Sequence, residues 1–192
     1  MARRSKPKAT WCKSLSPGCW KNTLAWPSPF KPGLPDPRNG NWLGHLNVTA
    51  YQVKQWILDY SGCLQNYKGD KNQKAQTMGA YYENVNNQAT LVKSYFPWGE
   101  DKSFMEALHT GGGGNLSIQR HAIAGVLNAA QFGPTAFGYT VAEFVAMVNA
   151  RFGKDAQLQA DLEYLGNDRG TASCPGAGSG QNMNWCSILN VS

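Results

Sequence analysis

The chain has 192 residues, of which 42% are hydrophobic, 11% aromatic and only 16% charged, and its formal net charge is +6. A chain of this size can bury one hydrophobic core, and it contains no apolar run long enough to cross a bilayer or to serve as a signal peptide. The 21 glycines, the five cysteines and the high aromatic content are more typical of exported or particle-surface proteins than of soluble enzymes.

Residues 1–46 are predicted to form an extended basic arm. Residues 1–38 contain eight lysines and arginines against one aspartate, a charge of +7, whereas residues 39–192 contain ten bases and eleven acids, a charge of −1. Seven of the ten prolines and four of the seven tryptophans lie within the first 42 positions. Because proline fixes φ and lacks a backbone N–H group, this segment is poorly suited to forming a helix or a ladder of its own. We therefore expect it to lie along another surface.

A helical core is predicted over residues 47–170. Thr49 followed by Gln52 matches a capping box, so a helix should begin at residue 50. Its apolar stripe at helical spacing is Val53, Trp56, Ile57 and Tyr60. The polar, basic stretch at residues 65–76 indicates a loop. A second apolar stripe at helical spacing follows, made by Met78, Tyr81, Val85, Ala89 and Val92. We expect the amides on the opposite face of this helix to meet solvent or a partner: Asn84, Asn86, Asn87 and Gln88.

Four further helices are predicted in the second half of the core. A capping box at residues 103–106 opens a short helix, which the glycines at 111–114 end. Residues 117–130 form the central helix, and Gly125 should let another helix approach it closely. A capping box at residues 140–143 opens the next helix, and the leucines at 158, 162 and 165 mark the last one, which Gly166 ends.

The cysteines lie mostly outside the predicted core. Cys12 and Cys19 precede it, Cys174 and Cys186 follow it, and Cys63 lies within it. A bridge from the first pair to the second would tie the glycine- and asparagine-rich tail at residues 171–192 back to the arm, and it would stabilise the fold by closing a long loop. Sequence alone leaves the pairing and the state of Cys63 open. Close C-x₂₋₄-C pairs are absent, so a zinc site is not expected.

Four blocks of the sequence resemble a loosely defined group of uncharacterised exported microbial proteins. They are residues 16–22 (SPGCWKN), 119–130 (QRHAIAGVLNAA), 140–149 (TVAEFVAMVN) and 174–175 (CP), in the same order as in that group. The chain departs from the pattern because its cysteine follows the Pro-Gly, and because Thr23 stands where the group has histidine. The resemblance implies an exported helical module and no particular chemistry.

Candidate catalytic residues are sparse. His109 and His121 are twelve positions apart, which is not a recognised metal spacing, and we expect His121 to lie on a helix flank with an ordinary hydrogen bond. Glu143 belongs to a capping box, and the other core carboxylates are expected on solvated faces. We therefore predict no catalytic group, no metal and no cofactor.

The arm carries the candidate contact residues. Its aromatic side chains are Trp11, Trp20, Trp26, Phe30 and Trp42, and its basic cluster is Arg3, Arg4, Lys6 and Lys8. The aromatic rings either anchor the arm to neighbouring subunits or pack it onto its own helices, and stacking on sugars is a third possibility. The basic cluster predicts only a weak, salt-sensitive contact with nucleic acid or anionic lipid.

Together these features predict a non-enzymatic structural protein located in a virion or outside the cell. It would be built into a larger assembly, as a capsid, minor capsid or cement component or as part of an extracellular layer, and its arm would contact other protein subunits. Two alternatives are a secreted binding module for a glycan or cell-surface polymer and a small secreted hydrolase.

Overall fold

The computed structural model describes residues 13–40, 42, 47–60, 62–167 and 173–175. Within these residues the chain forms seven α-helices and no β-strand, apart from an isolated bridge between Leu91 and Ser103. The helices are α1 (Pro17–Trp20), α2 (Ala50–Tyr60), α3 (Lys71–Asn87), α4 (Phe104–Leu108), α5 (Asn115–Ala136), α6 (Val141–Arg151) and α7 (Leu158–Leu165). The prediction of a mainly helical fold is confirmed. Over the same ranges, no helix combines the length and the apolar character needed to span a bilayer.

Local capping groups set where the helices begin. The Thr49 hydroxyl accepts from the Gln52 N–H at 3.2 Å and the Thr49 N–H donates to the Gln52 side chain at 3.0 Å, so α2 starts at the predicted residue. Thr140 and Glu143 make the same reciprocal pair before α6, and Ser103 caps α4. These bonds satisfy N–H groups that have no partner within the helix.

Helix α3 begins earlier than the sequence pattern predicts. The Asp70 carboxylate accepts a hydrogen bond from the Gln73 N–H at 3.1 Å, and this N-cap places Lys71 at the first helical position. The interpretation of residues 65–76 as a loop is therefore wrong for residues 71–76. Apolar periodicity missed this first turn because its side chains are polar and exposed.

The buried face of α3 also differs from the predicted stripe. It consists of Ala75, Met78, Gly79, Tyr82 and Asn86. Tyr81, predicted to be buried, is 42% exposed, and Asn86, predicted to meet solvent or a partner, is buried. The true stripe contains a glycine and an amide, so a search for apolar side chains places the face incorrectly.

Helices α2 and α3 form a tightly crossed hairpin. Gly79 lies at the crossing, where a Cβ atom would collide with the carbonyl oxygen of Ala50. The N–H of Ala50 donates to the Glu83 carboxylate at 2.9 Å. Because no other residue leaves this space, Gly79 permits the close packing that buries Val53 and Ile57.

The larger hydrophobic cluster surrounds α5, which α4, α6 and α7 all contact. A Cβ atom at Gly125 would overlap the ring of Phe144 on α6, so the predicted close approach at this glycine is confirmed. The regular part of α5 ends at Gly133. This glycine has a φ of +69°, which is not helical, and it is followed by Pro134.

The described part of the arm packs against both halves of the helical core. Apart from the single turn of α1, residues 13–40 have no regular secondary structure. Leu15, Trp20 and Phe30 belong to the cluster around α5, whereas Leu34 belongs to the cluster between α2 and α3. These residues therefore contribute to the same cores as the helices that follow them.

Candidate functional site

The aromatic side chains predicted to anchor the arm to a partner lie inside their own subunit. Trp20 is completely buried, and Phe30 and Trp42 are each only 2% exposed. Phe30 stacks on Phe104 of α4 with ring centroids 5.8 Å apart. Of the two alternatives that the sequence left open, these three side chains therefore follow the second, because they pack onto the chain's own core. Of that set, Trp26 is half-buried, and its indole N–H donates to the Trp20 carbonyl at 3.1 Å.

The remaining members of the predicted contact set lie outside the described residues. They are Trp11, Arg3, Arg4, Lys6 and Lys8, together with the cysteines Cys12 and Cys186. The proposed contact of the basic cluster with nucleic acid or lipid stays a prediction.

A buried amide on α5 holds the arm. Asn128 is completely buried, and its Oδ1 atom accepts from the Leu15 N–H at 2.9 Å and from the Trp20 indole N–H at 3.1 Å. Its Nδ2 group donates to the Leu15 carbonyl at 2.9 Å. One side chain thus satisfies three polar groups of the arm, which would otherwise be buried without partners.

Two more attachments continue along the arm. The N–H of Lys31 donates to the Thr90 hydroxyl and the Lys31 carbonyl accepts from the Thr90 N–H, both at 2.9 Å. The N–H of Leu34 donates to Asn86 Oδ1 at 2.8 Å. The burial of Asn86 on α3 therefore has a structural cause, because its amide receives the backbone of the arm.

A disulfide closes the arm onto the end of the chain. Cys19 and Cys174 are bonded, with Cα atoms 5.6 Å apart and a sequence separation of 155 residues. The predicted bridge between the two terminal pairs of cysteines is confirmed for this pair. Nearby, the Ser14 hydroxyl donates to the carbonyl of Asn167, just after α7.

The blocks that carry the sequence resemblance meet around these contacts. Trp20 and Asn128 belong to the first and second blocks and are hydrogen bonded, and Cys19 of the first block is bonded to Cys174 of the last. In the third block, Asn149 donates to the Tyr95 carbonyl at 2.9 Å and accepts from the Trp98 indole N–H at 2.8 Å. Each of these residues has a role in holding distant segments together.

The two core histidines do not share a site. His109 lies at the end of α4, where its Nε2 atom is 3.1 Å from the Lys21 carbonyl oxygen and its ring stacks on Trp42. His121 lies on α5 against α7, and a Cβ atom at Gly166 would come within 2.7 Å of its Nδ1 atom. His109 therefore helps to position the arm, and His121 packs α5 against α7.

The expectation of an ordinary hydrogen bond for His121 is not met at Nδ1. This atom is buried and has no hydrogen-bond partner among the residues that the structure describes. Burial lowers the pKa of His121 below its ordinary value of 6.5, although the negative charge of Glu163 acts in the opposite direction. Glu163 is itself engaged, because it accepts from the Ser117 hydroxyl at 3.3 Å and from the Gln159 amide at 2.8 Å.

Acidification is expected to destabilise the fold through His121. The pKa of His121 is lower in the folded than in the unfolded state. The free energy of unfolding that the neutral ring contributes is therefore fully present above pH 6.5, and it is lost as the pH falls towards the folded-state pKa. Urea unfolding measures the free energy of unfolding at about pH 7.5 and at about pH 5.5. Between these two pH values it should fall further for the wild type than for His121→Gln. An equal loss in both proteins would exclude this histidine as the cause.

The other carboxylates are used in local contacts. Arg151 forms ion pairs with both Asp155 and Asp161 and so ties α6 to α7. Glu143 remains in its capping box. Among the described residues, no three histidine, cysteine, aspartate or glutamate side chains gather as a metal site would require.

Within the described part of the chain, the large apolar side chains that are exposed are mostly tyrosines. They are Tyr51 (70% exposed), Tyr60 (66%), Tyr164 (50%), Leu91 (43%) and Tyr81 (42%). Three of these five belong to the α2–α3 hairpin. The sequence pattern does not mark them as contact residues, because Tyr60 and Tyr81 fall in apolar helical stripes that predict a core.

Comparison of the chain with protein-family models, with curated proteins and with solved structures finds no match in any of the three. The resemblance to the exported group therefore stays a prediction.

Proposed function

We propose that this chain is a non-enzymatic structural subunit of a larger assembly, such as a virion or an extracellular layer. The observation that carries the proposal is the exposure of three tyrosines on the α2–α3 hairpin, Tyr51, Tyr60 and Tyr81. Tyrosine is enriched in protein interfaces because it buries a large ring and offers a hydroxyl group. The hairpin therefore replaces the buried tryptophans of the arm as the proposed contact with neighbouring subunits.

The placement of these tyrosines favours contacts on more than one side. Tyr51 and Tyr60 are nine positions apart on α2, which at 3.6 residues per turn puts them about 180° apart around the helix axis. Two rings on opposite sides of a helix do not form one flat platform for a sugar. They suit a subunit with neighbours on both sides, so an assembly is favoured over the glycan-binding alternative.

The disulfide supports a location in an oxidising environment. The Cys19–Cys174 bond would be reduced in most cytosols, whereas it persists in a released particle or outside the cell. The buried amides and His109 hold the chain's own segments together, which also fits a protein built for stability.

Replacing the three hairpin tyrosines by serine is expected to prevent assembly while leaving the fold intact. Interface tyrosines commonly contribute about 1–2 kcal/mol each, so the triple variant Tyr51→Ser, Tyr60→Ser, Tyr81→Ser should weaken self-association by about 100-fold or more. Sedimentation velocity over a concentration series measures the association, and circular dichroism verifies the helical content.

Tyr164→Ser is the matched control, because Tyr164 is similarly exposed but lies on α7. It should associate like the wild type. A wild-type protein that stays monomeric at every concentration and binds an insoluble polysaccharide would overturn the proposal in favour of a binding module.

A further inference from the structure

An apolar groove lies between the arm and α6, away from the hairpin tyrosines. Its volume is about 680 Å³. Pro29, Phe30 and Tyr95 line one side, and Val141, Val145 and Ala146 of α6 line the other. Its two sides are held together, because Asn149 of α6 donates to the Tyr95 carbonyl at 2.9 Å.

The lining fits a hydrocarbon chain. Nearly every residue that faces the groove is apolar, and the side-chain hydroxyls of Ser28 and Tyr95 are the exceptions. The volume falls in the range of about 300–1,000 Å³ that is usual for small-molecule sites. Ala146 is a small, exposed residue, so the groove stays open along α6.

Two lysines lie within two positions of the aromatic residues that line the groove. Phe30 and Tyr95 pack against each other in this lining, with ring centroids 5.3 Å apart. Lys31 follows Phe30, and the Thr90 hydrogen bonds tie it to the segment that contains Lys93. Both lysines are exposed, and neither forms an ion pair with any residue that the structure describes. At the α6 end, the Glu143 carboxylate is occupied by its capping bond to Thr140.

We propose that this groove binds a free fatty acid. The hydrocarbon chain lies between α6 and the Pro29–Phe30 wall, where it is removed from water, and the carboxylate lies near Lys31 and Lys93. Apolar burial supplies the affinity, and the two lysines select an anionic end over a neutral one.

Isothermal titration calorimetry of the whole protein with dodecanoate and with 1-dodecanol tests both parts of the proposal, the apolar groove and the preference for an anionic end. We expect saturable binding of one dodecanoate per chain. Ala146→Trp should lower the affinity for both compounds by about tenfold or more because the indole fills the groove. The matched control Ala80→Trp, at an exposed alanine on α3, should bind like the wild type.

The double variant Lys31→Glu, Lys93→Glu should weaken dodecanoate binding by about fivefold or more and leave dodecanol binding within about twofold.

Equal losses of affinity for the acid and the alcohol, or no saturable binding, would overturn the proposal. So would binding to anionic vesicles without binding of dodecanoate, which indicates a membrane contact. A change in sedimentation with Ala146→Trp would instead assign the groove to a second copy of the chain. The triple variant Tyr51→Ser, Tyr60→Ser, Tyr81→Ser should bind dodecanoate like the wild type. A failure of the fatty-acid proposal can therefore be distinguished from a failure of the assembly proposal.

Discussion

Replacing Asn128 by leucine is expected to destabilise the protein by about 3 kcal/mol or more, because three buried polar groups of the arm lose the partner that the structure shows for them, at about 1–3 kcal/mol each. These groups are the N–H and carbonyl of Leu15 and the indole N–H of Trp20. Leucine has the same branched skeleton of heavy atoms as asparagine, so the substitution leaves no cavity and the loss arises from hydrogen bonding. A domain with about 5–15 kcal/mol of stability would lose a large part of it.

Urea unfolding, followed by tryptophan fluorescence and by far-ultraviolet circular dichroism, measures this loss. Hydrogen exchange at the Leu15 N–H gives a second, local readout, since this N–H should be strongly protected in the wild type and exposed to exchange in Asn128→Leu. Asn87→Leu is the matched control, because Asn87 is an exposed amide on α3. If Asn128→Leu unfolds at the same urea concentration as the wild type, the amide does not hold the arm.

Breaking the Cys19–Cys174 bond is expected to cost about 3–5 kcal/mol, because a crosslink across a long loop restricts the unfolded chain. The loop spans 155 residues, which is most of the chain. The measurement is the shift in the urea midpoint on adding a reductant. The reduced wild type and the double variant Cys19→Ser, Cys174→Ser should unfold together.

A double-mutant cycle tests the pairing itself. If the two cysteines are partners, Cys19→Ser, Cys174→Ser and the double variant all lose about the same stability, because the first substitution already removes the bond. Losses that add in the double variant would show that each cysteine acts separately.

Local signals in the sequence were sufficient to predict where three of the seven described helices begin, α2, α4 and α6. The capping boxes at Thr49, Ser103 and Thr140 each involve residues within three positions, so no tertiary contact is needed to form them. Gly125 also predicted a close helix approach, since a missing side chain inside an apolar helix leaves room for a neighbour. Where the cap was a lone aspartate before a polar turn, as at Asp70, the same reasoning failed.

The candidate site was predicted less well because its residues act through distant partners. The tryptophans of the arm have the same chemistry whether they enter a neighbouring subunit or their own core. The outcome depends on pockets formed by residues far along the chain, such as Phe104 for Phe30 and Asn128 for Trp20. The exposed tyrosines differ from the prediction in the opposite direction. Tyr60 and Tyr81 fit apolar stripes that predict burial, but they lie at the surface.

The sequence by itself determined the helical class, the starts of α2, α4 and α6, and the expectation that arm and tail are bridged, because propensity, capping and cysteine placement are local or compositional properties. Only the tertiary structure decided which cysteines pair, that Asn86 and Asn128 are buried, and that the described arm belongs to the core. An amide on a helix is equally suited to water or to a buried backbone segment. Its role is settled only when packing removes the water and brings the backbone donors and acceptors of the arm to it.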